Sequence, residues 1–429
     1  MLDVKLIRQD PDGVRARLAA RGAVEATDAA VERVLALDAE RRTLVAEGDG
    51  LKARRNAVSQ EVGERKRRKE SADDLIAEMG QVNARIKEID ARLREVEGES
   101  DDILLRIPNP TDPSVPAGGE EANAVVRSWG EPRALDFEAR PHWDIGAELG
   151  LFDLPAGAKV SGSGFPVYKG MGARLQRALI NFFLDLHTRE HGFTEVEPPF
   201  LVTRESMQGT GQYPKFVEEG DAYALPEDGL YLIPTSEVPL VNLHRDELLE
   251  ADRLPIAYTA YSPCFRREAG SAGKDTRGLL RVHQFDKVEM VRFERPEASD
   301  AALETLTGQA ERVLQLLGLP YRVLLLAAGD TGFSSVRTYD LEVWAPGVGK
   351  WLEVSSASNC RDFQARRANI RYRPEAGARP EYVHTLNASG VALPRTVVAL
   401  LENGQQPDGS VVIPEPLRPY LGTDRLVRP

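Results

Sequence analysis

The sequence predicts an α+β protein in which a long antiparallel helical hairpin precedes an antiparallel β-sheet flanked by helices. Three observations carry that expectation. Two heptad seams occupy the N-terminal quarter, a proline-rich stretch follows them, and the remainder alternates helical patterns with short strand-like segments.

The second seam is the cleaner. Leu75, Met79, Val82, Ile86, Ile89, Leu93 and Val96 fall in alternating steps of four and three, the spacing of one narrow apolar stripe along a helix. The first is thinner: Leu37, Leu44, Leu51 and Val58 recur every seven residues, flanked by Val34 and Val62. Two such stripes close on each other as a hairpin. Between them Ser71 is placed to cap the second helix, and Asp73 and Asp74 suit the positive end of its dipole. Arms of about 30 to 38 residues, at 1.5 Å per residue, extend roughly 45 to 55 Å. Gly48 and Gly50 weaken the first helix by roughly 1 kcal/mol each and mark a candidate bend. Heptads alone do not name a partner. The basic run Arg65, Lys66, Arg67, Arg68, Lys69, with Arg41, Arg42, Lys52, Arg54 and Arg55 along the first helix, favours a phosphate backbone, although charge runs are usually solvated faces.

The arm ends at Pro108, Pro110, Pro113 and Pro116, followed by Gly118 and Gly119, a stretch that cannot continue a helix. The expected division is an arm over residues 1–107, a semi-rigid linker over 108–119 and a second domain over 120–429. A length of 429 residues suits more than one domain, and 42% hydrophobic residues against a net charge of −12 exclude a disordered chain. The acidic balance speaks against sequence-independent coating of nucleic acid but permits a specific complex where basic residues gather. Residues 1–5 run into charge at once, and the longest apolar run, 323–328, is too short to span a bilayer, so neither a secretory signal nor a membrane partner is expected. Cys264 and Cys360 are the only cysteines, too few for a disulfide framework or a thiolate zinc site. The expected location is the cytoplasm, and any metal must use oxygen ligands. No Gly-x-Gly-x-x-Gly follows a strand and no Walker-type lysine loop occurs, so the common nucleotide folds are not supported.

The body carries three motifs. Over residues 173–190, Leu175, Ala178, Leu179, Phe182 and Leu186 share a helix face, and Gly192-Phe193 leads through Glu195-Val196-Glu197 to Pro198-Pro199. Alone, this is an ordinary packed helix and strand. The second motif, Phe265-Arg266-Arg267-Glu268, is followed by a polar loop over 270–278 with Lys274 and Arg277, then by a strand expected over 281–291. On a two-residue period Arg281, Phe285 and Glu289 face one side, offering a cation, an aromatic plate and a carboxylate to the same space. Phe285 by itself reads as core; its company makes it part of a site. The third motif, Asn387-Ala388-Ser389-Gly390-Val391-Ala392-Leu393-Pro394-Arg395, feeds an apolar helix that ends near Asn403-Gly404, and a helix start beside an arginine suits an anion.

These motifs resemble those of class II aminoacyl-tRNA synthetases. The stretches Pro141-His142-Trp143-Asp144-Ile145-Gly146, Thr235-Ser236-Glu237, Glu353-Val354-Ser355-Ser356 and Asp362-Phe363-Gln364-Ala365-Arg366-Arg367 narrow the resemblance to bacterial-type seryl-tRNA synthetases, over nearly the whole chain. Ala388 and Pro394 stand where the general class pattern has glycines, and no acidic residue precedes Arg395. The resemblance implies ATP-dependent activation of L-serine to seryl-adenylate and its transfer to the 3′ end of serine tRNA, and of selenocysteine tRNA where that is present. It implies catalytic roles for Arg266, on the α-phosphate, and Arg395, on the γ-phosphate. The remaining ATP contacts it implies are Arg267, Glu268, Arg281, Val282, Phe285, Glu353, Val354, Ser355 and Ser356, with Mg2+ held by Glu353 and Ser356. The implied serine pocket is Thr235, Ser236, Glu237, Arg266, Glu289, Asn387 and Ser389. The implied partners are serine tRNA, held by the N-terminal arm, and a second copy of the chain, meeting it through residues 173–199. The chemistry needs charge neutralisation rather than a base, because a serine carboxylate must approach an α-phosphate wrapped in negative oxygens. Glu353 and Ser356 are three apart, so both face a metal only if their strand bulges or ends between them.

Other readings are an inactive or carrier-protein-directed relative acting as a binding protein, a threonyl-type enzyme, and a structural coiled coil. The first is opposed by the long arm and by Arg266, Glu289, Glu353 and Arg395. The second would need a zinc cluster of cysteine and histidines. The third leaves residues 120–429 unexplained.

Overall fold

The heptad seams become two long helices because each stripe has only the other to bury it. Four helices precede the sheet: α1 (Val4–Gln9), α2 (Pro11–Ala19), α3 (Val24–Arg67) and α4 (Asp73–Leu104). The computed structural model describes residues 1–22, 24–269 and 277–428. The chain divides into two compact units, the first ending at Pro108. Val34, Leu37 and Val58 of α3 and Leu75, Val82, Ile86, Ile89 and Val96 of α4 are buried. Leu44, Leu51 and Val62 are half-buried, so the first seam is thin in space as well as in sequence.

Register along the hairpin is set by charge. Arg33–Glu99, Glu40–Arg92, Glu47–Arg85 and Arg54–Glu78 cross between the helices at 2.6 to 2.7 Å, and their α3 members are seven residues apart. Such pairs flank a heptad seam and choose its alignment. They also change the reading of the basic residues. Arg41 meets Glu97, Arg42 meets Asp38, Lys52 meets Asp90 and Arg54 meets Glu78, so four cations assigned to phosphate are engaged within the hairpin. Arg65 is likewise held by Glu61 and Asp74. The exposed positive charge concentrates at the tip, in Lys66, Arg67, Arg68 and Lys69. Ser71 caps α4 only weakly: Ala72 occupies the cap position without a side-chain bond, while the Ser71 hydroxyl accepts from Asp73 N–H at 3.4 Å and donates to the Asp73 carboxylate at 2.9 Å. The helix starts one residue later than a Ser71 cap requires.

The second unit centres on eight strands: β1 (Ala124–Trp129), β2 (Thr194–Glu195), β3 (Ile256–Phe265), β4 (Gln284–Glu294), β5 (Tyr321–Leu325), β6 (Arg337–Ala345), β7 (Lys350–Arg361) and β8 (His384–Ala392). Their order is β1-β5-β6-β7-β8-β4-β3-β2. Neighbours are antiparallel except β2, which runs parallel to β3. One sheet face is apolar. Val288, Met290, Leu341, Val343, Ala357 and Ala388 pack there with α5 (Gly170–Arg189), α6 (Ser299–Leu316) and α7 (Leu393–Gly404). The apolar face of α5, Leu175 to Leu186, is used inside this core.

Three boundaries differ from expectation. The α5 helix begins at Gly170, and β2 is two residues long. The β4 strand begins at Gln284 rather than at 281, because the backbone before it is bonded elsewhere: Leu279 N–H donates to His142 Nε2 at 3.0 Å and His283 N–H to Gly164 O at 2.8 Å. The proline-rich stretch lies along the sheet unit, with Asn109 N–H on Phe333 O, Asp112 N–H on Val336 O and Ala328 N–H on Pro116 O, each within 2.9 Å.

The α3 helix runs unbroken through Gly48 and Gly50. A Cβ at Gly48 would lie 3.5 Å from Ile89 Cγ2, an ordinary contact, and one at Gly50 would meet nothing within 4 Å. Gly48→Ala and Gly50→Ala should each stabilise the arm by about 0.5 to 1 kcal/mol. Native-state hydrogen exchange along α3 would read this as slower opening. A faster opening in Gly48→Ala would show that α4 needs the glycine for its approach.

Candidate active site

On a pleated sheet the residues two apart share a face, so the core residues Val288 and Met290 force Phe285, Lys287 and Glu289 onto the other side. Two irregularities bring further polar groups to that side. Along β7, Glu353 opposes Glu342 while Ser355 opposes Leu341, so Val354 is an extra residue. The bulge switches parity: Leu352, Val354 and Ala357 enter the core, while Glu353 and Ser356 both line the opposite face. Along β8, Lys287 opposes Ala392 but Glu289 opposes Ser389, leaving one residue extra around Gly390 and Val391. Val391 has φ +107°, a strained value for a β-branched residue, and a Cβ at Gly390 would stand 2.5 Å from His187 Nε2.

Two adjoining cavities result. The larger, about 420 Å³, is lined by Thr235, Glu237, Glu289, Ser356 and Asn387 among others. The smaller, about 80 Å³, is lined by Glu268, Arg281, Val282, Phe285, Val354 and Arg395 among others. Arg266, Lys287, Glu353 and Ser389 line both. The Arg266 guanidinium lies 5.3 Å from the Phe285 ring centre. Arg281 bonds Glu268 at 2.6 Å, and Arg395 Nη1 lies 3.4 Å from Glu353 Oε2. Glu268 itself has φ +53°.

Three expected residues line neither cavity. Ser236 is buried at the start of the helix Glu237–Asn242, and Ser355 turns its hydroxyl to Ser389 O at 2.5 Å. Arg267 lies over the Tyr223 ring, 5.4 Å from its centre. Arg277 lies 4.3 Å over Trp143, whereas Lys274 falls outside the described residues.

Sequence reasoning missed Lys287, Asp340 and Gln364. The first had a signal, since it sits at the two-residue period between Phe285 and Glu289. Its Nζ lies 2.5 Å from Glu289 Oε2 and donates to Thr235 Oγ1 at 2.9 Å. Asp340 opposes Ser356 across the β6–β7 ladder and shares a side-chain hydrogen bond with it, while its buried Oδ1 has no hydrogen-bond partner among the described residues. Burial first, then the Glu353 carboxylate, push its carboxyl well above the usual aspartate range. Hard oxygens from Glu353 and Ser356, with this under-satisfied carboxylate behind them, fit a divalent cation such as Mg2+. Gln364 donates to Glu237 Oε1 at 2.6 Å and accepts from Thr385 at 2.7 Å. Nothing local in the sequence marks it.

The arrangement offers a buried carboxylate beside an aromatic plate, with two arginines and an acidic oxygen set between. A sheet of this topology, with motif residues on the face opposite its main helical layer, defines a class II aminoacyl-tRNA synthetase core. The family model for the tRNA synthetase class II core domain (G, H, P, S and T) matches residues 223–404, and that for the seryl-tRNA synthetase N-terminal domain matches 1–111. Serine–tRNA ligase of Gemmatimonas aurantiaca is 56% identical over 422 residues, covering 98% of this chain and 99% of its own length. That of Geobacillus kaustophilus is 57% identical over 429 residues and 100% of both chains. A crystal structure of seryl-tRNA synthetase from Pyrococcus horikoshii complexed with ATP superposes with a TM-score of 0.94 at 41% identity, covering 100% of both chains. The chain belongs to the seryl-tRNA synthetase family.

Burial, then the charge of Glu289, push the Glu237 carboxyl up to about 7, against the opposing bond from Gln364. The native state therefore keeps a proton that the unfolded chain releases above the ordinary value of 4.5. This group's contribution is fully present below that value and falls as pH rises through about 7. Relative to wild type, Glu237→Gln should lose less Tm between about pH 5 and about pH 8. Parallel Tm–pH curves for the two proteins would show that Glu237 is already ionised in the native state.

Proposed function

We propose that the chain activates L-serine with ATP as seryl-adenylate and transfers the seryl group to the 3′ end of serine tRNA. The observation that carries this reading is the pair of cavities joined at Arg266: one built around the buried Glu289 carboxylate, the other around Phe285. Serine enters the first, meeting Glu289, Thr235, Asn387 and Ser389, and ATP the second. The serine carboxylate attacks the α-phosphorus and pyrophosphate leaves. Arg266 neutralises the charge gathering on the α-phosphate, and Arg395, on the first turn of α7, meets the γ-phosphate. Glu353 and Ser356 would hold Mg2+, which would neutralise phosphate oxygens. A carboxylate facing the substrate hydroxyl rejects alanine, because Glu289 Oε1 would lose the hydrogen bond that the hydroxyl donates.

Residues 1–107 bind tRNA, 108–119 join them to the rest, and 120–429 catalyse; the division into compact units after Pro108 supports this. The exposed tip cations supply the phosphate contacts. A second copy meets residues 173–199, where the two-residue edge strand β2 leaves little else to cover the sheet. The protein works in the cytoplasm, supported by two buried free cysteines and by the lack, among described residues, of a helix able to cross a membrane.

ATP–pyrophosphate exchange with each of the twenty amino acids tests the reading, and clear preference for any other than serine overturns it. Deleting residues 28–100 should leave serine-dependent exchange nearly intact while tRNA charging falls steeply. Normal charging by that deletion would remove the arm from tRNA binding. Arg395→Ala should cost on the order of 3 kcal/mol in kcat/KM for ATP, and an unchanged exchange rate would take Arg395 out of the site.

A further inference from the structure

A lysine ammonium is a strongly hydrated point charge, and burying one is costly unless it is paired. Lys287 is buried in the middle of β4, and both neighbours on its strand face belong to the cavities. Its Nζ is shared between Glu289 Oε2, at 2.5 Å, and Thr235 Oγ1, at 2.9 Å. Thr235 Oγ1 also accepts from Glu237 N–H at 3.1 Å, so one hydroxyl joins β4 to the helix Glu237–Asn242. The two oxygens of Glu289 are thereby made unequal. Oε2 is in close ion-pair contact with the ammonium, without hydrogen-bond geometry, while Oε1 accepts, among the described residues, a single long bond from Asn387 Nδ2, at 3.4 Å.

From this we infer that Lys287 is a positioning residue for amino-acid selection: it fixes the Glu289 carboxylate in one orientation and leaves Oε1 as the acceptor offered to the substrate. The inference rests on the reading of the larger cavity as the serine pocket. Lys287 supplies a second service. A zwitterionic substrate brings a cation and an anion together, and a pocket holding Glu289 alone would carry an uncompensated charge before the substrate arrives. With Lys287 beside it the carboxylate has a counter-ion and is aligned before the substrate arrives, so little reorganisation is needed on binding. The side chain acts through Glu289 and Thr235 rather than on a reacting atom.

The test uses the full-length protein in ATP–pyrophosphate exchange with serine and with alanine. Lys287→Met should raise the serine KM by about 100-fold, the scale of breaking a buried pair, and narrow the serine-to-alanine ratio, while the ATP KM moves less than about threefold. Lys287→Ala should regain serine affinity with propylammonium but not with 1-propanol, a difference that a purely space-filling role would not produce. In Lys287→Met/Glu289→Gln the losses should be far from additive, because Glu289 is already misplaced in the single variant. Where Lys287→Met does not fold, Lys287→Arg keeps the charge. Its planar fork would engage both Glu289 oxygens, so the serine KM should still rise with the ATP KM held. An unchanged serine KM in whichever of these variants folds, a rise confined to ATP, equal rescue by the alcohol, or additive losses would each overturn the inference. A wild-type protein without serine-dependent exchange would instead overturn the assignment of the pocket.

Discussion

The demand that a buried charge be compensated organises the sheet unit. One face of the sheet is filled by helices in the usual way, while the other buries Lys287 and Glu289 and half-buries Arg266 and Arg395. The two buried ions could not remain there alone, since an unpaired buried ion costs several kcal/mol. Each specifies a neighbour, as does the half-buried Arg395, whereas Arg266 lies over the Phe285 ring. Lys287 fixes Glu289, Glu289 is approached by Asn387, and Arg395 is drawn to Glu353. Pairs of opposite charge, one along β4 and one between β7 and α7, make a surface able to receive a molecule that itself carries both signs.

Strand register turns that surface into a site with two compartments. Without the extra residue at Val354, Glu353 and Ser356 would point to opposite faces, and one of them would enter the apolar core. The second bulge, at Gly390 and Val391, brings Ala392 and Arg395 to the smaller cavity after Asn387 and Ser389 have served the larger. The strained Val391 and the close approach of His187 to Gly390 accompany this change. Both features lie where the compartments meet, so the irregular backbone and the chemistry share an address.

The arm solves a different problem with the same forces. Its apolar seam is narrow and, on α3, incomplete, so the seam alone leaves alignment loosely fixed. Ion pairs at heptad spacing supply the register. In doing so they engage most of the cations along the shaft and leave the exposed positive charge near the tip. A rigid shaft with a charged end suits contact with a large polyanion better than a uniformly basic rod, which would bind one anywhere.

By itself the sequence determined what short-range periodicity encodes: the two long helices, the α+β body, the helix face built on Leu175 and Leu179, and the shared strand face of Phe285 and Glu289. Lys287 is legible by the same period-two argument, since it lies between Phe285 and Glu289. Ordered motifs also pointed to the family before any coordinates. What only the tertiary structure decided depends on partners distant in the chain. The start of β4 was set by His142 and Gly164, the parity of Glu353 and Ser356 by register against β6, and the support of Glu237 by Gln364 and Thr385. The shaft cations likewise read as free until α4 supplied their carboxylates. A local pattern states which way a side chain points along its own element, but whether its charge is available, and against which residue its strand is aligned, is fixed by groups that folding brings from elsewhere.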